Sequence, residues 1–111
     1  LQGKNSFCNK EPVILTEDLF SAQKIRYYTG CSVMPLFGTS LKDDALVHLS
    51  DKFPVLCLDG DLGGWKATAD ITNKLNLYSI AHSVLKVPDD NDPKDMKPSE
   101  LIQLVKGIKY D

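Results

Sequence analysis

The sequence has no long apolar run: no stretch of about 18 apolar residues is present that could form a transmembrane helix. It also has no excess of positive charge, because 13 Lys and Arg residues against 15 Asp and Glu residues give a formal net charge of -2. These absences exclude a membrane-spanning helix and a polybasic arm that binds nucleic acid or lipid. Nucleic-acid chemistry through an acidic metal site stays open, because a bound cation can approach phosphates.

Cysteine is sparse, and the three cysteines have no Cys-x-x-Cys spacing, which argues against a disulfide framework and a zinc knuckle. Cys57 lies in an apolar run and is predicted to be a small buried hydrophobic residue. No apolar segment near the start resembles a signal peptide, so we expect a cytoplasmic protein. Because the first residue is not methionine, we expect a processed product or a piece of a longer protein.

What is present is enough for one globular domain. The 111 residues are 42% hydrophobic and 25% charged, which is too apolar for a disordered chain and too short for two ordinary domains. Short apolar runs alternate with amphipathic ones, which favours an α/β fold with about four mostly parallel strands flanked by about four helices. Strands are predicted at 12–16, 32–37, 54–58 and within 78–87, and helices between 17 and 30, at 41–49, at 62–75 and from Pro98.

The helices carry more detailed predictions. Gly30 is expected to end the first helix as a glycine cap, and Ser40 with Asp43 has the spacing of a capping box before the second. Apolar residues are predicted to share one face of each of three helices. They are Phe20, Ala22, Ile25 and Tyr28 in the first helix, Ala67, Ile71 and Leu75, which should face the sheet, in the third, and Leu101, Leu104, Val105 and Ile108 in the last.

Polar residues follow three of the predicted strands: Glu17-Asp18, Gly38-Thr39-Ser40 and Asp59-Gly60-Asp61. In parallel α/β sheets, ligands bind beyond the carboxyl ends of the strands. Two carboxylates held together repel unless a cation or a proton lies between them, and oxygen ligands suit Mg²⁺ or Mn²⁺ rather than zinc. With Glu17 as an acid or base and the aspartates on a metal, this set favours phosphoryl chemistry.

Plainer interpretations of the same residues are open. An Asp-Gly-Asp after a strand is often only a turn in which the second Asp caps the next helix, which would be the role of Asp61. Thr39 and Ser40 can likewise be helix caps and nothing more. His48 and His82 have no metal-ligand partner at a useful spacing. A receiver domain of the response-regulator type is disfavoured, because it carries its acidic pair early and a single Asp later.

Four segments together resemble the Toprim domain, in the branch found in bacteriophage DNA primases. They are Ile14–Ala22, Leu36–Leu41, Leu58–Ala67 and Asp92–Asp95, and the last is similar to a loop after the final strand in primases. Leu1–Asn5 resembles the short segment that precedes the domain there. We therefore expect a lead-in segment at 1–11 and a Toprim catalytic domain at 12–111.

The resemblance implies a Rossmann-like Toprim fold in which Glu17 is the general acid or base and Asp59 and Asp61 bind Mg²⁺, with Mn²⁺ able to substitute. The implied activity is synthesis of RNA primers from ribonucleoside triphosphates on a single-stranded DNA template, in the host cytoplasm if the protein is viral. Implied partners are the template, the nucleotides, and a replicative helicase or other primase modules. The chain has no zinc module, so a catalytic fragment or split subunit is expected.

This chain departs from the common Toprim pattern in two places. Many Toprim domains have an Asp four residues past the Glu, where this chain has Ser21, so Asp18 becomes a candidate metal ligand. In the third helix, Trp65 takes the place of a smaller residue. It is either a platform on which a base stacks or an aromatic residue packed on the sheet.

Candidate phosphate contacts and rival functions complete the expectations. The resemblance makes Lys66, Thr39, Ser40 and Lys94 candidates for binding a nucleotide or its phosphates. Lys94 and Asp92 can equally belong to a solvated loop. A small Toprim nuclease would use the same carboxylates, and a non-catalytic module that docks a replication partner would not need them.

Overall fold

Each of the four predicted apolar runs contributes a strand to one parallel sheet in the computed structural model, which describes residues 10–108. The expected lead-in at Leu1–Asn5 and the residue Cys8 lie outside the described residues. The strands are β1 (Glu11–Thr16), β2 (Val33–Pro35), β3 (Lys52–Leu56) and β4 (Ser83–Val84), and the helices are α1 (Leu19–Thr29), α2 (Asp43–Leu49), α3 (Leu62–Leu77) and α4 (Pro98–Lys106), with a short 3-10 helix at Pro93–Asp95.

The strand order is β2-β1-β3-β4, and every neighbouring pair is parallel. Ile14 on β1 pairs with Val33 on one side and Val55 on the other. The chain therefore winds outward in both directions from the central pair β1 and β3. The carboxyl ends of these two strands form the topological switch point, where open α/β sheets bind ligands. The predicted α/β fold is confirmed.

Helices cover both faces of the sheet, which explains why the strands are continuous apolar runs. On one face, α2 and α3 pack on Leu15 and Leu56, and Ala67, Ile71 and Leu75 are buried as predicted. On the other face, α1 and α4 pack on a second cluster that contains the buried Cys57, which confirms that prediction. Leu101, Leu104 and Val105 of α4 lie on this cluster as predicted, with Leu101 fully buried, and Ile108, just past the end of the helix, packs there too.

The buried face of α1 differs in part from the prediction. Ala22 and Ile25 are buried as predicted, and so is Ser21, but Phe20 and Tyr28 are 68% and 42% exposed. The small side chains of Ser21 and Ala22 let the helix lie close to the sheet, and this turns Phe20 toward solvent. The predicted cap is confirmed: Gly30 is left-handed at φ 73°, and its N–H donates to the Arg26 carbonyl at 3.0 Å.

Two predictions around β2 and α2 are wrong. The second strand ends at Pro35 rather than Phe37, because Phe37 adopts a positive φ of 57° that breaks the extended backbone. The capping box does not form, since α2 begins at Asp43 after Lys42, whose side chain makes no capping hydrogen bond. Leu41 precedes the helix and is buried in the core.

Both histidines and two of the three cysteines lie within the described residues. His48 is exposed on α2, and His82 lies just before β4 with Nδ1 3.0 Å from the Ile80 carbonyl. Cys31 and Cys57 are both free thiols. Between residues 10 and 108, no helix has the length and apolarity needed to cross a bilayer.

Candidate metal and nucleotide site

The switch point brings Glu17 and Asp59 into direct contact. Glu17 follows β1, Asp59 follows β3, and the Asp59 backbone N–H donates to Glu17 Oε2 at 3.0 Å across 42 residues of sequence. Because β1 and β3 are neighbours, their ends meet at one edge of the sheet, as the alternation of strands and helices predicted. We refer to the edge of the sheet at Glu17, Asp59 and Asp61 as the carboxylate crevice.

Asp61 belongs to the same edge and also caps a helix. Its Oδ1 accepts a hydrogen bond from the Gly64 N–H at 2.7 Å at the start of α3, so the predicted cap is present. Within the described chain, its second carboxylate oxygen makes no hydrogen bond. The cap therefore does not exclude a metal-binding role, because one oxygen holds the helix while the other is left for a cation.

The crevice is electrostatically unfavourable for negative charge. Burial raises the pKa of Asp59 to about 6, and the nearby negative charges of Glu17, Asp92 and Asp61 contribute. Burial likewise raises the pKa of Glu17, with smaller contributions from Asp61, Asp18 and Asp92, although the Asp59 N–H opposes the shift. Asp59 Oδ1 is buried and has no hydrogen-bond partner among residues 10–108. Such a group accepts a proton or a cation.

Asp18 differs from its neighbour Glu17 because its carboxylate is satisfied. Its Oδ1 accepts from the Ser21 N–H at 2.7 Å as the N-cap of α1, and its Oδ2 lies 3.3 Å from Lys94 Nζ. Burial opposes ionisation, but hydrogen bonds from Ser21 and Lys94 outweigh it and lower the pKa of Asp18. The metal-ligand role given to Asp18 stays a prediction, and the structure adds these two other roles.

The loop after β4 lies beside the crevice, because the charge of Asp92 adds to the effect of burial in raising the pKa of both Glu17 and Asp59. Lys94 Nζ lies 2.7 Å from Asp92 Oδ2, and Lys24 Nζ donates to the Lys94 carbonyl at 2.7 Å, so this segment is tied to α1. Lys94 thus lies beside Asp18 and Asp92, and the nucleotide contact given to it stays a prediction. The sequence reasoning missed Lys24 and the charge that Asp92 places beside Glu17 and Asp59. No sequence signal predicted the position of Asp92, because it lies eight residues beyond the end of β4.

Two glycines make the close packing of the crevice possible. The Gly60 N–H donates to the Asn91 carbonyl at 2.7 Å, and the Asp90 N–H donates to the Gly60 carbonyl at 2.6 Å. A Cβ atom on Gly60 would overlap the Pro88 carbonyl oxygen, and one on Gly64 would overlap the Asp59 carbonyl oxygen. Glycine is therefore required at both positions for the loop and α3 to approach the Asp59 backbone.

Within residues 10–108, the side chains of the other predicted phosphate contacts form no hydrogen bond or ion pair with the carboxylates of the crevice. Lys66 is exposed in α3, and Thr39 and Ser40 are exposed in the loop after β2. The side chains of these three residues make no hydrogen bond within the part of the chain described. The Gly38 N–H donates to the Glu17 carbonyl at 3.0 Å, which ties the loop to the site through its backbone. Their roles therefore stay predictions.

The donor set suits a hard divalent cation although it is not assembled as a closed metal centre. Across residues 10–108, no three His, Cys, Asp or Glu side chains are already arranged to hold a metal ion. The unpartnered buried oxygen of Asp59 and the accumulation of carboxylates around it fit a group that gains stability from a cation. All the nearby donors are oxygens, which is the preference of Mg²⁺ and Mn²⁺.

Comparison with known proteins agrees with the fold. A family model described as Toprim-like matches residues 16–97, which span β1 through the loop that carries Lys94. The chain belongs to the Toprim-like family. No curated protein matches the sequence.

A solved structure shares the fold. The crystal structure of the Aquifex aeolicus primase, with its zinc-binding and RNA polymerase domains, superposes with a TM-score of 0.71 at 22% sequence identity. The match covers 86% of this chain but 25% of the primase chain, so this chain spans about a quarter of that structure. The predicted Toprim domain is therefore confirmed as a fold of the kind found in a primase.

Proposed function

We propose that this Toprim domain is the catalytic domain of a phage-type DNA primase, carrying out Mg²⁺-dependent nucleotidyl transfer that makes RNA primers on single-stranded DNA. The observation that carries the proposal is the contact of Glu17 with Asp59 at the switch point, where both carboxyl groups have a raised pKa. The fold likeness to a primase supports this reaction class. The domain would act with further primase modules as a fragment or split subunit.

In this proposal, Asp59 and Asp61 hold the metal. Asp59 contributes the buried oxygen that has no partner in the described chain, and Asp61 the oxygen that does not cap α3. When bound, Mg²⁺ or Mn²⁺ supplies positive charge to the phosphates and to the pyrophosphate leaving group. Asp18 becomes a further ligand where Lys94 moves away from it.

Glu17 is proposed to act as the acid or base. Its raised pKa suits a carboxylate that accepts a proton from a primer 3′-hydroxyl, and the Asp59 N–H fixes one of its oxygens. Lys94, Lys66, Thr39 and Ser40 are proposed to contact the phosphates of the ribonucleotide, and the loop at 38–40 is held near Glu17 by its backbone.

The metal half of the proposal is tested by titrating the isotope-labelled chain with Mn²⁺ and recording NMR line broadening. We expect broadening centred on Glu17, the Asp59–Asp61 turn and Gly38, and its loss in the double variant Asp59→Ala/Asp61→Ala. The control is Asp70→Ala, which removes an exposed carboxylate further along α3. Broadening scattered over surface carboxylates, or unchanged in the double variant, would contradict a metal site here.

The reaction is tested by following ribonucleotide incorporation and strand cleavage on the same labelled single-stranded DNA with Mg²⁺ or Mn²⁺. Template-dependent incorporation that disappears in Glu17→Gln supports the primase proposal. Cleavage that disappears in the same variant would instead support a Toprim nuclease. If neither reaction occurs, and Glu17→Ala retains partner binding and function in vivo, the docking module is the better interpretation.

A further inference from the structure

A second concave surface adjoins the carboxylate crevice and has a different character. It is a cavity of about 320 Å³ between α3 and the β4 segment, and Asp59 and Gly60 form part of its wall. Its volume lies at the lower end of the range of about 300–1,000 Å³ found for small-molecule sites. Because Asp59 borders both surfaces, a single ligand can occupy the cavity and reach the crevice.

One wall of the cavity is a face of α3. Trp65, Thr68 and Ala69 line it, and their i, i+3 and i+4 spacing places them side by side on the helix. Trp65 is 46% exposed, so about half of its surface is covered and the rest is available for contact. The sheet-packing interpretation of Trp65 therefore accounts for only part of the indole.

The opposite wall comes from the end of β4 and the residues after it. Val84, Leu85 and Val87 contribute apolar surface, and Lys86 brings a positive charge. The cavity is thus mainly apolar, with a small number of polar groups in Thr68, Lys86 and Asp59. An aromatic wall facing aliphatic side chains is suited to a flat ring, because stacking needs a π face and tolerates different ring identities.

We infer that this cavity is a nucleobase subsite, in which the Trp65 indole stacks on the base of a nucleotide whose phosphates lie in the carboxylate crevice. The phosphate half of this inference rests on the proposed function, and the base half does not. A nucleotide is favoured over an apolar side chain of a partner protein because the cavity shares a wall with the crevice. A nucleotide alone joins a flat ring to phosphates that a cation at Asp59 would attract.

The experiment uses Trp65 as its own reporter, because it is the only tryptophan in the chain. Its fluorescence is recorded during titration with ATP or UTP in Mg²⁺, with free adenosine, and with inorganic tripolyphosphate, which has charge but no base. Free tryptophan amide in the same solutions corrects for absorption by the nucleotide. We expect quenching by ATP, UTP and, at higher concentration, adenosine, and none by tripolyphosphate.

Two variants connect the signal to the cavity. Ala69→Phe places a large side chain in the cavity from an exposed position of α3 and should abolish quenching. Asn73→Phe makes a similar change at an exposed position of α3 outside the cavity and should leave quenching unchanged. Trp65→Leu removes the stacking surface. Calorimetry should then show nucleotide binding weakened by about 5- to 150-fold, which corresponds to ~1–3 kcal/mol for one stacked base.

The outcomes separate this inference from the proposed function. Equal quenching by tripolyphosphate and ATP, or no quenching by any base, overturns the subsite even if Mn²⁺ still broadens Glu17. Quenching by adenosine without any effect of Mn²⁺ supports the subsite and counts against the metal chemistry. Quenching that persists in Ala69→Phe overturns the placement of the base between α3 and β4, and leaves the cavity to an apolar segment of a partner.

Discussion

The two ends of the central strand pair differ in the charges that they bring together. Where β1 and β3 begin, Glu11 and Lys52 are register partners joined by an ion pair of 2.9 Å, and Ser32 donates a further hydrogen bond to Glu11. Where the same strands end, Glu17 accepts a hydrogen bond from the Asp59 N–H, and within residues 10–108 neither carboxylate forms an ion pair. The pKa of Glu11 is lowered by Lys52 and Ser32, whereas that of Glu17 is raised by burial.

This difference supports our proposal that the carboxyl ends of the strands carry chemistry, whereas the ion pair at their amino ends is structural. Opposite charges at the amino ends satisfy each other at the surface and need nothing more. Like charges at the carboxyl ends are unfavourable for the folded chain unless a ligand compensates them, and such perturbed groups concentrate at functional sites. Variants at the two ends of the strand pair, or in the loop after β4, test this comparison.

The largest expected difference is in catalysis. Glu17→Gln removes the group proposed to transfer a proton, and should lower the rate of metal-dependent nucleotidyl transfer by about 10²–10⁴-fold. Glu11→Gln makes the same chemical change at the other end of β1 and should leave the rate unchanged. Single-turnover rates on a primed template measure both. Equal rates for the two variants would remove the distinction between the ends.

The next effect is on the packing of the loop over the crevice. Gly60→Ala places a methyl group against the Pro88 carbonyl and should lower the free energy of unfolding by about 1–3 kcal/mol. Gly63→Ala, where the added Cβ lies 3.6 Å from Asp61 Oδ1, should instead raise it by about 0.5–1 kcal/mol. Urea denaturation measures the two. A stable Gly60→Ala protein would mean that the loop is not held as described.

The pH dependence should have opposite signs at the two ends. The folded pKa of Asp59, about 6, exceeds its unfolded value of about 3.9, so the folded state binds more protons between these values. Stability linked to Asp59 is therefore present at low pH and lost as the pH rises toward 6. The lowered pKa of Glu11 gives the reverse: its stabilisation is present above its unfolded pKa and lost as the pH falls through the folded one.

Substitution separates these contributions. Asp59→Asn should raise the free energy of unfolding near pH 7 by on the order of 1 kcal/mol after allowance for solvent screening, with little change near pH 4. Glu11→Gln should lower it near pH 7. Saturating Mg²⁺ should stabilise the wild-type chain more than Asp59→Asn, because only a ligand of the folded state shifts the equilibrium. Destabilisation by Asp59→Asn at neutral pH would contradict the electrostatic description.

The smallest expected effect is that of Lys94. Its charge lowers the pKa of Asp59, so Lys94→Met should raise that pKa in a carboxyl NMR titration. The stability change should be about 0–1 kcal/mol, since its ion pairs with Asp92 and Asp18 are partly exposed. Lys106→Met, at the end of α4, is the matched control. An unchanged pKa of Asp59 in Lys94→Met would show that the charge of Lys94 does not act on this carboxyl group.

The sequence was sufficient to predict the sheet and the meeting of Glu17 with the Asp59–Asp61 turn. Parallel strands buried on both faces are visible as apolar runs, and polar residues at their carboxyl ends must share one edge. The buried face of α1 was only partly predictable from its apolar residues, because Ser21 packs against the core and Phe20 does not. Packing density, rather than hydrophobicity, decided that face.

The position of Asp92 was also beyond sequence patterns. It depends on backbone hydrogen bonds of Asp90 and Asn91 with Gly60, which join segments that are distant in sequence. A turn-rich composition predicts a loop but not where the loop returns. The same holds for the cavity beside Trp65, since its two walls come from α3 and from the residues after β4.

The position of β3 next to β1 has a consequence for how the chain folds. Glu17 cannot meet Asp59 until β3 has paired beside β1, which closes a loop that contains β2 and α2. Such a non-local pairing costs the entropy of closing a long loop before its contacts can form. At the proposed metal site, a divalent ion would therefore find its ligands together only after this pairing. Its effect would be to retain the finished domain, by slowing its unfolding.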